Sequence, residues 1–417
     1  MKIDSQETLK IALNATSQLI VRFSGTLTSF LATFLIAKFL GVEELGSFIK
    51  ITTFVTLFYL LIDYGINSYF LKHHFEKAEE LFGNLLALRF FISIFVFILV
   101  GAIALILPYN GNSGYSGIEK IGILIFSCTL FTEGILVSFS GLLQKHLLQK
   151  KLILPSILSN LVLLAGICFS IYLQSLFFLL LSYPISEILQ IILLHLFLKK
   201  NISYSFSLFS FSSFSKKALF SSSPLALMLV LNVVYFRADS FILALFKNNV
   251  DVGVYGFAYK IFEFLIAFPA FFSAGVFPIL IKNAHNEKVF EDKVLSHTGI
   301  LLGASLVFLT ASCLLAPFIV LVKPEFLQAV FPLQILSCSL PFFFLTSLFQ
   351  WVLLLKEKIK QLVFIYAFTM FLNILLNVMF IPKYSYVAAS FITFFTEALV
   401  CLCMILIIIQ LKFNKNE

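Results

Sequence analysis

Ionisable side chains inside long apolar runs are the residues of this sequence whose types and positions could do chemistry. The three arginines of the chain, Arg22, Arg89 and Arg237, all lie in such runs, although lysine is elsewhere the usual cation. A charge within a membrane costs at least about 2.5–3.5 kcal/mol and usually faces a protein interior or an aqueous cavity. The planar guanidinium can bind phosphate or carboxylate through two parallel hydrogen bonds. The arginines are therefore candidate contacts for an anionic ligand such as a pyrophosphate.

Further ionisable residues in apolar runs could carry protons or ions, or could simply hold helices together as neutral pairs. This charge set comprises Asp63, Glu133, Glu187, Asp239, Lys260, Glu263 and Glu397. Glu187 and Glu397 fall close to the middle of their runs and have no obvious cation nearby in the sequence. Either glutamate could be a proton relay or a hydrogen-bonded packing residue, and the sequence does not decide between these roles.

Depth along the predicted helices indicates which of these charges meet. Arg22, Asp63, Arg89 and Glu133 each fall about 10–14 Å from the same end of their helices, and this shared depth predicts a network. In the second half of the chain, we expect Asp239 to pair with Lys260 on the neighbouring antiparallel helix. Lys260 could also pair with Glu263, three residues further on.

The composition requires a membrane around these residues. The 417-residue chain is 60% hydrophobic and only 12% charged, with a mean hydropathy of +1.03. Apolar runs of about 18 residues or more recur along it, and each can cross a hydrocarbon layer about 30 Å thick. The fold class is therefore all-α integral membrane. The predicted helices are 13–40, 46–70, 82–108, 118–142, 152–174, 176–198, 217–246, 252–281, 296–322, 328–355, 359–381 and 385–411.

The distribution of lysine then predicts the orientation of the twelve helices. Most basic residues outside the spans lie in the terminal segments and in alternate loops, whereas the opposite loops hold only Lys247, Lys323 and Lys383. This asymmetry follows the positive-inside rule with both termini in the cytoplasm. The net charge of +8 is thus divided among loops rather than gathered into a nucleic-acid-binding patch.

Two weak internal matches predict that the chain is a duplication. Aligning Gly46 with Gly253, and Glu187 with Glu397, gives two nearly equal offsets. The predicted organisation is an N-terminal six-helix lobe over 1–200, a cytoplasmic or interfacial linker over 201–216, and a C-terminal six-helix lobe over 217–417. Both lobes would start in the cytoplasm, so the repeat is parallel, and a substrate site is expected between the halves near the midplane.

Motifs for catalysis and cofactor binding are absent from the sequence. No GxxxxGK[ST], HExxH or GxSxG pattern occurs, and the six cysteines form no CxxC pair. We therefore predict no enzyme activity, no cofactor and no metal site. Secondary transport is the leading class.

Several segments carry a resemblance to a known family. They are LGVEELGSF after the first helix, SSSPLALMLVLNVVYFRADSFILALF, VGVYGFAYKIFEF, Pro278, and LNILLNVMFIPKYSYVAASFITFFTEAL. In order and spacing the chain resembles the O-antigen and polysaccharide (Wzx-like) flippases of the multidrug/oligosaccharidyl-lipid/polysaccharide exporter superfamily. It departs from the family pattern in the last segment, where Ser385 and Val387 stand for glycines.

The resemblance implies a fold like that of the multidrug exporters (MATE-like), with two six-helix lobes and alternating access. It implies that an undecaprenyl-pyrophosphate-linked oligosaccharide moves to the outer leaflet of a bacterial inner membrane, driven by ions or protons. The implied partner proteins are a polysaccharide polymerase and a chain-length regulator. Two alternatives remain at this point, a small-molecule or drug exporter of the same superfamily and a polysaccharide polymerase or ligase enzyme.

Overall fold

The computed structural model describes residues 5–72, 78–198, 208–283 and 285–413, and it is built from helices. The predicted linker falls partly outside these ranges, at 201–207, whereas residues 208–216 belong to a helix. The α-helices are α1 (Ser5–Phe39), α2 (Val42–Thr56), α3 (Tyr59–Asp63), α4 (Ile66–Lys72), α5 (Ala78–Ile106), α6 (Gly117–Phe126), α7 (Thr129–Lys145), α8 (Lys150–Tyr172), α9 (Leu176–Leu198), α10 (Leu208–Phe246), α11 (Asn249–Asn283), α12 (Glu287–Leu315), α13 (Val330–Cys338), α14 (Leu340–Leu355) and α15 (Ile359–Phe413). Two 3₁₀ helices, Ala316–Leu321 and Pro324–Ala329, lie between α12 and α13.

Eleven segments of the described residues are long and apolar enough to cross a membrane. The last of these segments, Ile359–Leu411, has 53 residues. It would be about 80 Å long as one helix, far more than a bilayer is thick. Its backbone leaves the helical conformation at Ser385, which divides it into two spans. The all-helical membrane fold expected from the sequence is confirmed, with twelve spans once this break is counted.

Contacts within the chain divide it into two compact units. Unit 1 comprises residues 1–40 and 47–233, and unit 2 comprises residues 41–46 and 234–417. In unit 1, buried side chains of α4, α5, α7 and α9 form one apolar cluster around Phe70, Phe82 and Phe139. In unit 2, a second cluster surrounds Tyr235, Leu353 and Met404 on α10, α14 and α15.

Three spans are interrupted rather than continuous. The second span consists of α2, α3 and α4, and Tyr64 and Gly65 adopt positive φ angles of 45° and 67° between α3 and α4. The fourth span is interrupted between α6 and α7, where the hydroxyl of Ser127 donates to the carbonyl of Ile123 at 2.6 Å. The tenth span is interrupted between α13 and α14, where Ser339 donates to Leu336 at 2.5 Å. The fourth and tenth spans are equivalent in the predicted repeat, so this interruption recurs in both halves.

The aligned glycines of the repeat occupy equivalent close contacts within unit 2. A Cβ atom on Gly46 would lie 1.8 Å from the carbonyl oxygen of Asn249, and one on Gly253 would lie 2.1 Å from that of Val42. Val42 precedes Gly46 by four residues, just as Asn249 precedes Gly253. The starts of α2 and α11 therefore cross through a reciprocal contact in which the backbones touch, and only glycine allows this approach.

The break in α15 depends on a side-chain hydrogen bond. Ser385 has φ 52° and ψ −141°, a conformation that strongly favours glycine. Its hydroxyl donates to Oδ2 of Asp251 at 2.6 Å, and Nζ of Lys247 donates to the carbonyl of Pro382 at 3.0 Å. Contacts with the start of α11 thus hold the turn in a conformation that serine alone disfavours.

A buried lysine holds the loop between α5 and α6. Lys50 is 1% exposed, and its Nζ donates to the carbonyl of Gly114 at 2.7 Å and lies 3.9 Å from Oε1 of Glu119. Glu119 also caps α6 by accepting from the backbone N–H of Ser116 at 2.6 Å. Burial raises the pKa of Tyr115 in this loop, so its ring stays neutral beside the lysine.

The reciprocal contact predicts opposite effects for glycine substitutions that would be equivalent in an isolated helix. Gly46→Ala or Gly253→Ala should lower the thermal stability of the purified protein, because overpacking costs about 1–3 kcal/mol and here the obstacle is backbone. Gly275→Ala, on α11, meets no atom within 4 Å. It should be neutral or stabilising, since alanine favours a helix by about 0.5–1 kcal/mol. Thermal unfolding in detergent measures all three, and equal stability of the three variants would contradict the crossing.

Candidate functional site

Arg89 on α5 is fully buried, and its donors are directed at the interruption of the second span. Nε donates to the carbonyl of Ile62 at 3.3 Å, and Nη1 donates to Asn67 and Ser138, each at 3.0 Å. Nη2 donates to the carbonyl of Asp63 at 3.4 Å and lies 3.7 Å from its carboxylate oxygen Oδ1. The guanidinium therefore satisfies carbonyl groups at the end of α3 that a continuous helix would have bonded internally.

The predicted network of the first half is formed in part. Asp63 pairs with Arg89, as expected, and the Asp63 side chain is 41% exposed. Glu133 on α7 lies near enough to both residues for their charges to act on it. Arg89 has no exposed surface, so in this conformation it cannot contact a ligand, contrary to the expectation for a phosphate contact.

Arg22 is placed quite differently from Arg89. It lies within the apolar segment Leu13–Phe39 of α1, and its side chain is exposed. Within the part of the chain that the structure describes, no hydrogen bond or ion pair is made by its guanidinium. Arg22 is therefore the arginine whose five donors are available to an anion.

The third arginine, Arg237 on α10, belongs to an ion-paired group. Its Nη2 lies 3.2 Å from Oε1 of Glu263 on α11, and Nζ of Lys260 lies 2.6 Å from Oε2 of the same carboxylate. Arg237 and Glu263 are each 31% exposed. Two cations share one carboxylate, so the group carries an excess positive charge on a partly exposed surface.

The expected pairing of Asp239 with Lys260 is wrong. Asp239 is 3% exposed, accepts a hydrogen bond from the hydroxyl of Tyr255, and accepts another from the backbone N–H of Ser240 at 2.6 Å. The hydroxyl of Thr393 lies 3.5 Å from its Oδ2. The donors to the carboxylate are therefore neutral groups. One of them, Tyr255, belongs to the neighbouring helix α11.

Glu187 and Glu397 occupy equivalent positions in the two units. Glu187 on α9 accepts a hydrogen bond from Thr132 on α7. Glu397 on α15 accepts from Thr346 on α14 at 2.7 Å and from Tyr235 at 2.8 Å, and it is 2% exposed. In each unit, the donor threonine follows the interruption of the fourth or tenth span. The partners of both glutamates are hydroxyl groups, in agreement with the expectation that no cation is near.

Further buried polar residues, not singled out from the sequence, adjoin Asp239. Asn373 donates to the hydroxyl of Thr396 at 3.2 Å, and Asn377 donates to Oδ1 of Asn373 at 2.9 Å. Thr396 lies one turn from Thr393, which faces Asp239. Oδ1 of Asn377 is buried without a hydrogen-bond donor. The sequence could have indicated this pair, because two asparagines four residues apart in an apolar run lie on one face of a helix.

Unit 2 therefore contains, within its spans, a set of polar side chains that carry oxygen atoms. We call Asp239, Thr393, Thr396, Asn373 and Asn377 the oxygen cluster. Carboxylate, hydroxyl and amide oxygens are the ligands of hard monovalent and divalent cations. Within the described residues, no three His, Cys, Asp or Glu side chains converge as metal ligands would.

Solved structures with this architecture are integral membrane transporters. The chain is similar to the lipid II flippase MurJ in an inward closed conformation, with a TM-score of 0.75, 17% identity, and coverage of 94% of this chain and 87% of that one. It is similar to an inward-facing multidrug resistance MATE family transporter of the MOP superfamily, with a TM-score of 0.75, 14% identity, and coverage of 95% and 99%. A MOP superfamily transporter from Pyrococcus furiosus has a TM-score of 0.61, 14% identity, and coverage of 95% and 93%.

The fold and the intramembrane charges thus define a multi-pass membrane protein of the MATE- and MurJ-like architecture. Residues 11–284 match the family described as polysaccharide biosynthesis protein, and the chain belongs to that family. Among curated proteins, no sequence matches the chain. The resemblance drawn from the sequence motifs is confirmed at the level of this family and this fold.

Arg89 should behave as a structural residue when it is replaced. Arg89→Ala leaves the carbonyls of Ile62 and Asp63 at the end of α3 without their donor, and each buried polar group left unsatisfied costs about 1–3 kcal/mol. We expect a large fall in the thermal unfolding temperature and faster amide hydrogen exchange over residues 59–67. Arg22→Ala, the matched control, should leave both unchanged because Arg22 makes no such contacts. An Arg89→Ala protein of unchanged stability would contradict this role.

Proposed function

We propose that the protein flips an undecaprenyl-pyrophosphate-linked oligosaccharide, an O-antigen or capsule-type repeat unit, from the cytoplasmic to the outer leaflet of a bacterial inner membrane. Membership of the polysaccharide biosynthesis family carries the proposal. The shared fold with a lipid II flippase supports a lipid-linked cargo. Alternating access would involve the two lobes, 1–200 and 217–417, joined by residues 201–216, with both termini cytoplasmic. A polysaccharide polymerase and a chain-length regulator would act beside it.

The pyrophosphate of the proposed substrate gives Arg22 and Arg237 a role. Arg22 offers an unoccupied guanidinium inside an apolar span, where a phosphate group gains more from it than in water. Arg237 offers a second, partly exposed guanidinium whose charge Glu263 offsets only in part. In this proposal, Arg22 and Arg237 contact the pyrophosphate, and Arg89 keeps the interrupted second span in shape.

A multidrug exporter is the alternative that the fold leaves open, because the MATE transporter matches this chain with the same TM-score, 0.75, as the lipid II flippase does. Function resides in the site rather than in the fold. A free arginine in an apolar span favours an anionic substrate and repels cationic drugs. The polymerase or ligase alternative is disfavoured, since this family and fold are those of transporters.

Ion coupling is proposed to involve the buried carboxylates. The oxygen cluster would bind a cation through the carboxylate of Asp239, the hydroxyls of Thr393 and Thr396, and the amide oxygens of Asn373 and Asn377. Glu187, which has Glu133 close by, and Glu397 are the corresponding candidates for carrying protons, and Asp63 in turn lies close to Glu133. Lys260 and Glu263 complete the charge network around Arg237.

Transport by the purified protein tests the substrate. Proteoliposomes that contain labelled undecaprenyl-pyrophosphate oligosaccharide should show protein-dependent translocation. Arg22→Ala should slow it by about tenfold or more, because a hydrogen bond to a charged group contributes about 1.5–3 kcal/mol. Lys38→Ala removes an exposed cation of the same helix and should have little effect. Arg22→Lys should fall between them, since an ammonium lacks the fork.

Two results would reject this substrate assignment. Folded wild-type protein that translocates none of the labelled lipid under any ion gradient would overturn the flippase proposal. Wild-type rates in both Arg22→Ala and Arg237→Ala would reject pyrophosphate contact by these residues, even if translocation itself were observed.

Gradient dependence tests the coupling assignment separately. An imposed sodium or proton gradient should accelerate translocation by the wild-type protein. Asp239→Asn keeps the size of the side chain but removes its charge and replaces one acceptor oxygen by a donor, so the acceleration should be lost while basal exchange persists. Asp292→Asn, at an exposed position of α12, is the matched control and should keep the full response. An unaltered response in Asp239→Asn would exclude this carboxylate from coupling.

A further inference from the structure

A groove lies between the two spans of α15, close to the turn at Ser385. It has a volume of about 390 Å³, and its floor includes the buried side chains of Ala388 and Ile392. Its remaining lining is Leu376, Phe380, Tyr384, Val387, Phe391 and Phe395. We call this cleft the α15 groove, and no step of the proposed transport uses it.

The α15 groove runs from the headgroup level into one leaflet of the membrane. Each half of α15 is long enough to cross the bilayer, so the turn that joins them at Ser385 lies at an interface. Phe395 lies about 15 Å beyond this turn along the helix. One leaflet contributes half of a hydrocarbon layer that is about 30 Å thick. The groove therefore has the depth that an acyl chain of one leaflet occupies.

The lining of the groove requires a hydrocarbon occupant. The hydroxyl of Tyr384 is the only polar side-chain atom among the lining residues, so water would find almost no partner inside. An empty groove would leave the exposed rings of Phe391 and Phe395 without dispersion contacts. An acyl or isoprenoid chain therefore fills it in a membrane, and the charge beside the turn determines which lipid carries that chain.

A single lysine stands at the mouth of the groove. Lys383 is exposed, and its Nζ lies 5.4 Å from the centre of the Tyr384 ring. That ring stacks on Phe380, with the two ring centres 6.3 Å apart. Within the described residues Lys383 makes no hydrogen bond or ion pair, so its three N–H donors are available to a ligand. The ammonium group is thus held beside the groove by an aromatic ring of its lining.

The other charged side chains that bond to the turn are of opposite sign. Nζ of Lys247 donates to the carbonyl of Pro382 at 3.0 Å, and the carboxylate of Asp251 accepts from Ser385 at 2.6 Å. The turn and these partners all lie within the described ranges 208–283 and 285–413. Lys383 therefore adds an excess positive charge, which attracts the phosphate of a headgroup.

We propose that the α15 groove binds an anionic phospholipid of the phosphatidylglycerol type. One acyl chain lies along Ala388, Ile392 and Phe395, and the phosphate accepts hydrogen bonds from Lys383. A glycerol headgroup has no ammonium group for the lysine to repel. The headgroups of phosphatidylethanolamine and phosphatidylcholine each carry an ammonium, which opposes the positive turn. Retention should therefore be strongest for phosphatidylglycerol.

Native mass spectrometry of the full-length protein tests this selection. The detergent-purified protein is mixed with the three lipids carrying identical acyl chains, and the bound copies of each are counted. Phosphatidylglycerol should be retained roughly fivefold more than either of the others, the effect expected of one lysine near a membrane surface. Lys383→Gln should abolish this preference. Lys323→Gln, the matched control, removes a lysine of the same unit that lies beside Gly41, and it should preserve the preference.

A second variant acts through the interior of the groove. Ala388→Phe places a ring on the floor and should lower the retention of all three lipids, whatever their headgroup. Thermal unfolding confirms that each variant is folded. Equal retention of the three lipids by the wild-type protein, or an unchanged preference in Lys383→Gln, would overturn the proposal.

The isoprenoid tail of the proposed substrate is the other chain that could occupy the groove. Undecaprenyl pyrophosphate without sugars is therefore added to the wild-type protein in an amount equal to the phosphatidylglycerol. The bound phosphatidylglycerol should remain, because a methyl-branched chain is wider than an acyl chain. Its displacement would assign the groove to the substrate and overturn the proposal. Because binding is what is measured, the outcome is independent of whether the protein flips oligosaccharide.

Discussion

The need of every backbone polar group for a partner in the hydrocarbon layer is the constraint on which this structure depends. Water is not available there, so each interruption of a span frees carbonyl groups that the protein must satisfy itself. Arg89 satisfies those at the end of α3, and Nζ of Lys145 donates to Phe70 near the end of α4 at 3.1 Å. Where the fourth and tenth spans are interrupted, the hydroxyls of Ser127 and Ser339 donate to the carbonyls of Ile123 and Leu336, which also accept from the backbone N–H groups of the same serines. Much of the polar content of the spans is explained by this need.

This constraint separates the intramembrane charges into two kinds. Arg89 is committed to backbone and neighbouring side chains, and removing it would leave those groups unsatisfied. Arg22 makes no such contact, so its cost in the membrane is not offset within the described part of the fold. Asp239 and Glu397 are intermediate, since hydroxyl groups donate to them and no cation forms an ion pair with either among the described residues. A ligand can therefore stabilise most strongly the charged residues whose side chains lack a partner of opposite charge among the described residues.

Hydropathy and charge distribution predicted the spans, because both report on the surrounding lipid, whereas the family-level fold was implied by the resemblance of the motifs. They could not locate the interruption of the second span, since residues 57–62 are as apolar as an unbroken helix would be. The contacts of Arg89 with the backbone carbonyls of Ile62 and Asp63 were hidden for the same reason, as they depend on where α3 ends. The partner of Asp239 was predicted wrongly because the prediction considered only residues of opposite charge at suitable positions along the helices. In the structure, α10 and α11 pack closely, and the neutral side chain of Tyr255 contacts Asp239 instead.

The turn at Ser385 has an evolutionary consequence. A residue other than glycine is tolerated there because Asp251 accepts its hydroxyl hydrogen, so the two positions should not vary independently. A relative with glycine at the turn has no need of that carboxylate, and its equivalent of Asp251 is free to drift. Loss of the aspartate before replacement of Ser385 by glycine would instead pass through an unfavourable intermediate. The order of substitutions along a lineage is thereby constrained, and covariation of these two positions is its expected trace.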